Sequence, residues 1–229
     1  MHTYTYTNTN KYAEYADECI NQIFPHEIFL TANKRLKLEN DQLLLKQIKN
    51  DIFNKEIPLI DSRKTYFKFT SDITQSRKNI ANKNDTCTEV NKHIRKLLNK
   101  TQEYERGEVL ICRDYTKVKS GTFHVNFEYS ILKVKKDTLK IQNIKTIDTY
   151  EVPFNIIRKH FQFSYCSTCH SAQGSSIDES ITIFHWIFYF TSREWIWTAV
   201  TRAKSLDNVY VYDYSDDELN DICLKCIHY

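Results

Sequence analysis

Glycine is nearly absent from this sequence: 229 residues contain three glycines, alongside three prolines and one methionine. The scarcity has a chemical consequence. A phosphate-cradling P-loop needs Gly-x-x-x-x-Gly-Lys followed by Ser or Thr, so that bare backbone amides can wrap the anion. None of Gly107, Gly121 and Gly174 is followed by lysine, and none stands at the required spacing from another. No apolar strand ending in paired acids precedes Gly174 to hold magnesium. No window reaches the roughly 18 apolar residues of a membrane span, and the N-terminus "MHTYTYTNTNKY" has no signal-peptide core. An intracellular chain away from membranes is therefore expected, with its seven cysteines as reduced thiols. Charge of either sign is not in excess either: the net value of +3 permits a nucleic-acid partner without arguing for one.

What is present is a globular composition, 41% hydrophobic and 14% aromatic, long enough for a substantial core in one or two domains. Residues 28–30 predict a short strand. Asn40 predicts the N-cap of a helix whose Leu44, Leu45, Ile48 and Ile52 share one face. Residues 61–79 read as a polar connector. Thr86 with Glu89 predicts a capping box, followed by a helix with Val90, Ile94, Leu97 and Leu98 as its buried stripe. From about Gly107 to Val152 the texture changes. "EVLICRDYTK", "TFHVNFEYSILKVKK" and "DTLKIQNIKTIDTYEV" alternate apolar and polar residues, which predicts a small antiparallel β module.

Helical patterns flank that module, so it is expected as an insertion in an α/β domain. Beyond it, "FQFSYCS", "SITIFHWIFYF" and "NVYVYDY" predict strands, and "TSREWIWTAVTRA" predicts a helix with a capping box at Thr191 and Glu194. Such alternation argues for a parallel, RecA-like or Rossmann-like sheet. The expected organisation is a first lobe part over 1–105, the inserted β subdomain over 106–152 and a second lobe part over 153–215. Residues 216–229, ending "CLKCIHY", read as a segment cut short.

Two runs hold the candidate chemistry. In "TCHSAQGSSID" a strand ends near Thr168, one turn carries His170 and Gln173, and Gly174 allows the chain to reverse. Ligands of open α/β sheets bind beyond the carboxyl ends of the strands, where these polar groups and nearby amides suit phosphate. The same residues also read as a plain polar turn with a capping Thr and a terminating Gly. In "REWIWTAVTRAK", Ile196, Ala199, Val200 and Ala203 form a buried helical face, while Trp195, Thr198 and Arg202 share another side. An arginine held on a packed helix can reach a phosphate from a neighbouring lobe, and it can equally be an ordinary surface arginine.

Other chemistries fit less well. Cys166/Cys169 and Cys223/Cys226 are CxxC pairs beside His170 and His228, a pattern that suggests zinc. Residues three apart at a strand end point to opposite faces, however, and the two pairs lie far apart, so no metal is expected. Cys169 with His170 lacks an orienting acid for nucleophilic catalysis. Tyr104, Tyr115, Phe123, Phe127 and Tyr129 could stack bases, although alternation alone sends half of them into the core.

Taken in order, these runs resemble the superfamily 1 helicases of RecD-like type. "TCHSAQGSSID" is similar to motif V, Thr-x-His-x-x-Gln-Gly followed by a small and an acidic residue. "WTAVTRAK" resembles motif VI, "LTANKRLK" resembles motif IV, and "ANKNDTCTEVN" matches a segment with asparagines seven apart, here Asn84 and Asn91. The resemblance covers residues 26–215, and it includes a small SH3-like module where the β insertion falls. It implies a RecA-like α/β lobe, and it implies roles for particular residues. Arg202 would be the arginine finger and Arg35 the motif IV arginine, both catalytic and both directed at the γ-phosphate. Gln173 and Gly174 would also border the nucleotide. Thr168, His170, Gln173 and Asn84 would contact the nucleic-acid backbone. The implied cofactor is ATP with magnesium, in a complete two-lobe enzyme. The implied partners are single-stranded DNA, with RNA as the open alternative, and a P-loop-containing first lobe in cis or in trans. A nuclear or replication-site location follows from the DNA reading. The alternative is a non-catalytic module that binds single strands.

Overall fold

The computed structural model describes residues 36, 39–57, 65–172, 177–186 and 191–214. In chain order the elements begin with α1 (Glu39–Phe53), β1 (Lys68–Thr70), β2 (Lys78–Ala81) and α2 (Asn84–Leu97). Six strands follow: β3 (Val109–Cys112), β4 (Thr116–Val118), β5 (Gly121–Phe123), β6 (Glu128–Val134), β7 (Thr138–Asn143) and β8 (Thr149–Pro153). The chain continues through α3 (Phe154–His160), β9 (Phe161–Phe163), β10 (Cys166–Thr168), β11 (Ile181–Ile183) and α4 (Arg193–Val200). A 3₁₀ turn (Leu206–Asn208) leads into β12 (Val209–Tyr212).

A parallel sheet is buried on both faces and needs helices on both. Ile181, Ile183, Val209 and Val211 are almost fully buried, and they stand in a five-stranded sheet of order β1-β12-β11-β2-β10, parallel throughout. On one face Leu45, Ile48 and Ile52 of α1 and Trp195, Ile196, Ala199 and Val200 of α4 close over Ile80, Ile181 and Val211. On the other, Cys87, Val90 and Ile94 of α2 pack on Ala81, Cys166, Phe184 and Tyr212. This is the expected α/β lobe with a parallel sheet at its centre.

The alternating segment forms a separate antiparallel sheet of order β8-β7-β6-β3-β9, with β4 and β5 paired beside it. Its core is Leu110, Phe123, Tyr129, Ile131, Leu139, Ile141, Val152 and Phe161. "FQFSYCS" proves to be two strands rather than one: β9 closes the antiparallel sheet and β10 the parallel one, with Ser164 and Tyr165 between them. At this crossing Lys78 of β2 pairs with Glu128 of β6, and both hydrogen-bond to the Ser164 hydroxyl, which joins the two sheets.

Several sequence expectations are corrected. Asn40 lies inside α1, which begins at Glu39, where Glu39 and Asp41 suit the positive end of the helix dipole. Residues 61–79 contain β1 and the start of β2. The exposed to half-buried pattern of β1 gives an edge strand no apolar alternation to reveal it. Leu97 and Leu98 are exposed, at 51% and 47%, because α2 runs past the sheet; Cys87 and Asn91 complete its buried stripe instead. The Thr86–Glu89 box is absent. α2 starts at Asn84, with Lys83 as an N-cap whose side chain makes no capping bond, so Thr86 lies already within its first turn. The cap of α4 is Ser192, whose hydroxyl accepts the Trp195 N–H at 3.1 Å, one residue later than expected. The strand expected at residues 28–30 and the segment 216–229 lie outside the described residues.

Candidate functional site at the carboxyl edge of the parallel sheet

Parallel register places the ends of β2, β10 and β11 at one edge: Ala81 stands beside Thr168, and Ile80 beside Ile183. The polar residues that follow each strand therefore gather there. Thr168 is buried at the end of β10 and organises the turn after it. Its carbonyl accepts the Ala172 N–H at 3.1 Å and its hydroxyl meets that of Ser171 at 3.1 Å. His170, on this turn, is exposed. From β2 the chain passes through Asn82 and Lys83 to the exposed Asn84, the first residue of α2.

Between these segments and α4 lies a cavity of about 340 Å³, lined by Asn82, Cys169, His170, Ser192, Glu194, Trp195 and Thr198. Arg202 is not among its lining residues and connects to it through Thr198. α4 ends at Val200, so Arg202 stands in the turn beyond the helix rather than on it, and its side chain folds back along the last turn. Nε donates to the Thr198 carbonyl at 3.0 Å and Nη2 to the Thr201 hydroxyl at 3.4 Å. The residue is only 9% exposed. It also feels Cys169: burial pushes that thiol up to about 11, and the Arg202 guanidinium pulls in the opposite direction. Ile177 and Ala203 pair as an isolated parallel bridge, which ties the segment after the Thr168 turn to the backbone around Arg202.

Of the residues singled out from sequence, Thr168, His170 and Asn84 thus share one edge, and Arg202 stands behind it through Thr198. Arg35, Gln173 and Gly174 lie outside the described residues. Trp195, expected on the same side as Thr198 and Arg202, is largely buried in the core and also lines the cavity. Cys166 and Cys169 enter different core clusters, on opposite faces of the sheet. No group of three metal-ligating side chains occurs among the described residues. Tyr104, Phe123 and Tyr129 are buried and Phe127 is half-buried, which leaves Tyr115, at 62% exposure, as the ring most open to a base.

Sequence reasoning missed His185. It follows β11, is 5% exposed, and adopts a left-handed backbone with φ of 64°. Its Nδ1 accepts the Asn82 N–H at 3.3 Å and its Nε2 meets the Thr86 hydroxyl at 3.1 Å. A lone histidine inside the apolar run "ITIFHWIF" gives no signal of such contacts.

No protein-family model and no curated protein matches the chain. Solved structures do. A Pif1 helicase from Bacteroides, in complex with ADP-AlF3 and ssDNA, superposes with a TM-score of 0.57 at 13% identity, over 87% of this chain and 56% of its own. Bacteroides Pif1 bound to ssDNA gives 0.56 at 12% identity, over 87% and 56%. Pif1 from Candida albicans gives 0.50 at 12% identity, over 89% and 60%. The parallel sheet and its helices share the fold of a RecA-like lobe of these helicases. At such identities the likeness is one of fold, and the chain spans somewhat more than half the length of these helicases.

Proposed function

We propose that this chain supplies the second RecA-like lobe, the C-terminal half, of a RecD-like superfamily 1 DNA helicase. The Thr168–His170 turn, with Gln173 and Gly174 beyond it, couples nucleotide state to the nucleic-acid backbone, and Asn84 touches the strand. Arg202 acts as the arginine finger, and Arg35 assists it, on ATP that magnesium and a P-loop lobe hold from the other side. The antiparallel sheet is the SH3-like insertion of that family. A nuclear or replication-site location accompanies this reading.

The observation that carries the proposal is that Asn84, Thr168 and His170 follow neighbouring strands to one sheet edge, with His170 lining a cavity and Arg202 bonded to Thr198 of its wall, in a fold shared with Pif1 helicases. The bonds to Thr198 and Thr201 hold a forked, permanently charged group behind Thr198 of the cavity wall. An arginine presented to a phosphoryl group stabilises the charge that develops during its transfer. The solved neighbours with ADP-AlF3 and ssDNA support a nucleotide and a single strand as the ligand classes.

The test is ATP hydrolysis, with and without single-stranded DNA, by this chain alone and by the chain combined with a Pif1 P-loop lobe. The chain alone is expected to show no turnover, and the pair to show strand-stimulated turnover. Arg202→Ala should lower the pair's rate by roughly 10³-fold or more while leaving strand affinity unchanged. Strand binding with no turnover in any pairing would favour the non-catalytic binding module.

A further inference from the structure

His185 is the point where the loops of the candidate site meet. Its imidazole bridges two positions of one segment, the Asn82 amide that ends β2 and the Thr86 hydroxyl in the first turn of α2. Asn84 lies between them. On the other side, the His185 carbonyl accepts the Thr191 hydroxyl at 2.6 Å, just before the Ser192 cap of α4. The His185 N–H donates to the Tyr214 hydroxyl at 3.3 Å, and the two rings stack with an interplanar angle of 6°. One residue thus joins the segment ahead of α2, the segment ahead of α4 and the chain beyond β12.

The protonation state follows from the partners. A backbone N–H can only donate, so Nδ1 carries no proton and Nε2–H donates to Thr86. Burial, with Lys83 nearby, keeps the ring neutral, with its pKa lowered to about 4, so this tautomer persists across the physiological range. The φ of 64° belongs to a region that histidine enters more readily than most side chains and that β-branched residues resist.

We propose that His185 is a positioning residue. It sets the first turn of α2, and with it Asn84, while its carbonyl fixes the lead-in to α4, the helix before Arg202. The functional half of this inference rests on the reading of Asn84 as a strand contact. The structural half does not.

The test compares His185→Asn with His185→Phe in the full chain. Asn keeps an acceptor near the Nδ1 position and tolerates the left-handed backbone, whereas Phe keeps the ring and loses both bonds. Hydrogen exchange is read at residues 82–86, and affinity is read by anisotropy with a labelled oligo-dT strand. His185→Phe should speed exchange of the Asn82 amide at least about tenfold and weaken oligo-dT binding by a similar factor, with exchange in β6 and β7 unchanged. His185→Asn should restore most of both. If the Phe variant fails to fold, Thr86→Val takes its place: it removes the Nε2 partner with little change of shape and leaves the Asn82 bond intact, so the deciding exchange for it is that of residues 84–86.

Unchanged exchange at Asn82 would overturn the proposal. Faster exchange with unaltered oligo-dT affinity would overturn its functional half. If the unaltered chain binds no oligo-dT while exchange responds as expected, the strand-contact reading of Asn84 falls and His185 still positions the turn.

Discussion

The side-chain amide of Asn91 pairs with both backbone groups of Cys166. Oδ1 accepts the Cys166 N–H at 2.8 Å, and Nδ2 donates to the Cys166 carbonyl at 3.1 Å. β10 is an edge strand of the parallel sheet, and residue 166 directs these groups away from β2. Asn91 therefore does for β10 what one more strand would do, and it fastens α2 to the strand that ends in Thr168.

Replacing Asn91 with Leu keeps the bulk and strands a buried N–H and a buried carbonyl. Each lost partner costs about 1–3 kcal/mol, so the variant should lose about 2–5 kcal/mol of stability in urea unfolding. A loss below about 1 kcal/mol would mean that the strand edge finds other partners.

His185 makes stability depend on pH. The unfolded chain takes up this proton near 6.5, whereas the folded chain takes it up only near 4. The unfolded state then binds more protons within that window, so stability is complete above pH 6.5 and falls as the pH drops toward 4. The loss attributable to this residue is about 2 kcal/mol at pH 5. Urea midpoints at pH 7 and pH 5 should separate the unaltered chain from His185→Asn, which lacks this part of the slope.

Glu108 is a buried carboxylate at 3% exposure, held by Arg95 through two bonds of 2.8 and 3.1 Å, by the Glu105 N–H at 2.8 Å and by the Tyr165 hydroxyl at 3.2 Å. The Arg95 guanidinium also lies 4.2 Å from the centre of the Phe163 ring. Arg95→Ala should cost about 3–5 kcal/mol, because it leaves the carboxylate buried without its counter-charge. The paired change Arg95→Met with Glu108→Leu should cost clearly less, and chemical denaturation of the single and double variants decides the matter.

Cys87, Cys112, Cys166 and Cys169 are free and buried. Burial raises the Cys112 and Cys169 thiols to about 11 and pushes Cys166 well upward. Little thiolate then forms at pH 8, and His170, although adjacent to Cys169, stands exposed on the turn. Iodoacetamide should label these four slowly in the native chain and quickly in urea, as read by peptide mass spectrometry. Rapid native labelling of Cys169 would reopen nucleophilic chemistry at that position.

Legibility in the sequence followed the range of the interactions concerned. Period-two alternation marked the antiparallel sheet, and it carries its own core of Leu110, Tyr129, Ile131 and Ile141. Strands such as Ile181–Ile183 announced themselves as the start of a short, largely apolar run, and all three residues are buried. β1 did not, because an exposed edge strand is held by backbone pairing with β12 and shows no pattern of its own. Helix caps were misplaced by a residue or more: α2 starts after Lys83, whose side chain makes no capping bond, and Ser192 caps α4, while the hydroxyls of Thr86 and Thr191 engage His185 instead.

By itself the sequence determined the α/β class, the antiparallel segment and the chemical types at the candidate site: a Thr-x-His turn, an asparagine ahead of a helix and an arginine near the end of a packed helix. Each depends on neighbours within a few residues, where periodicity and spacing are set. Tertiary structure decided which of these groups meet. Parallel pairing of β2 with β10 and β11 brought Asn84 to the Thr168 turn, and the fold of the turn after α4 directed Arg202 toward Thr198. The contacts that hold this edge join Asn91 to Cys166, 75 residues away, and His185 to Asn82, 103 residues away. Hydrogen bonds over such separations form only once the sheet has aligned its strands, so no local pattern could have encoded them.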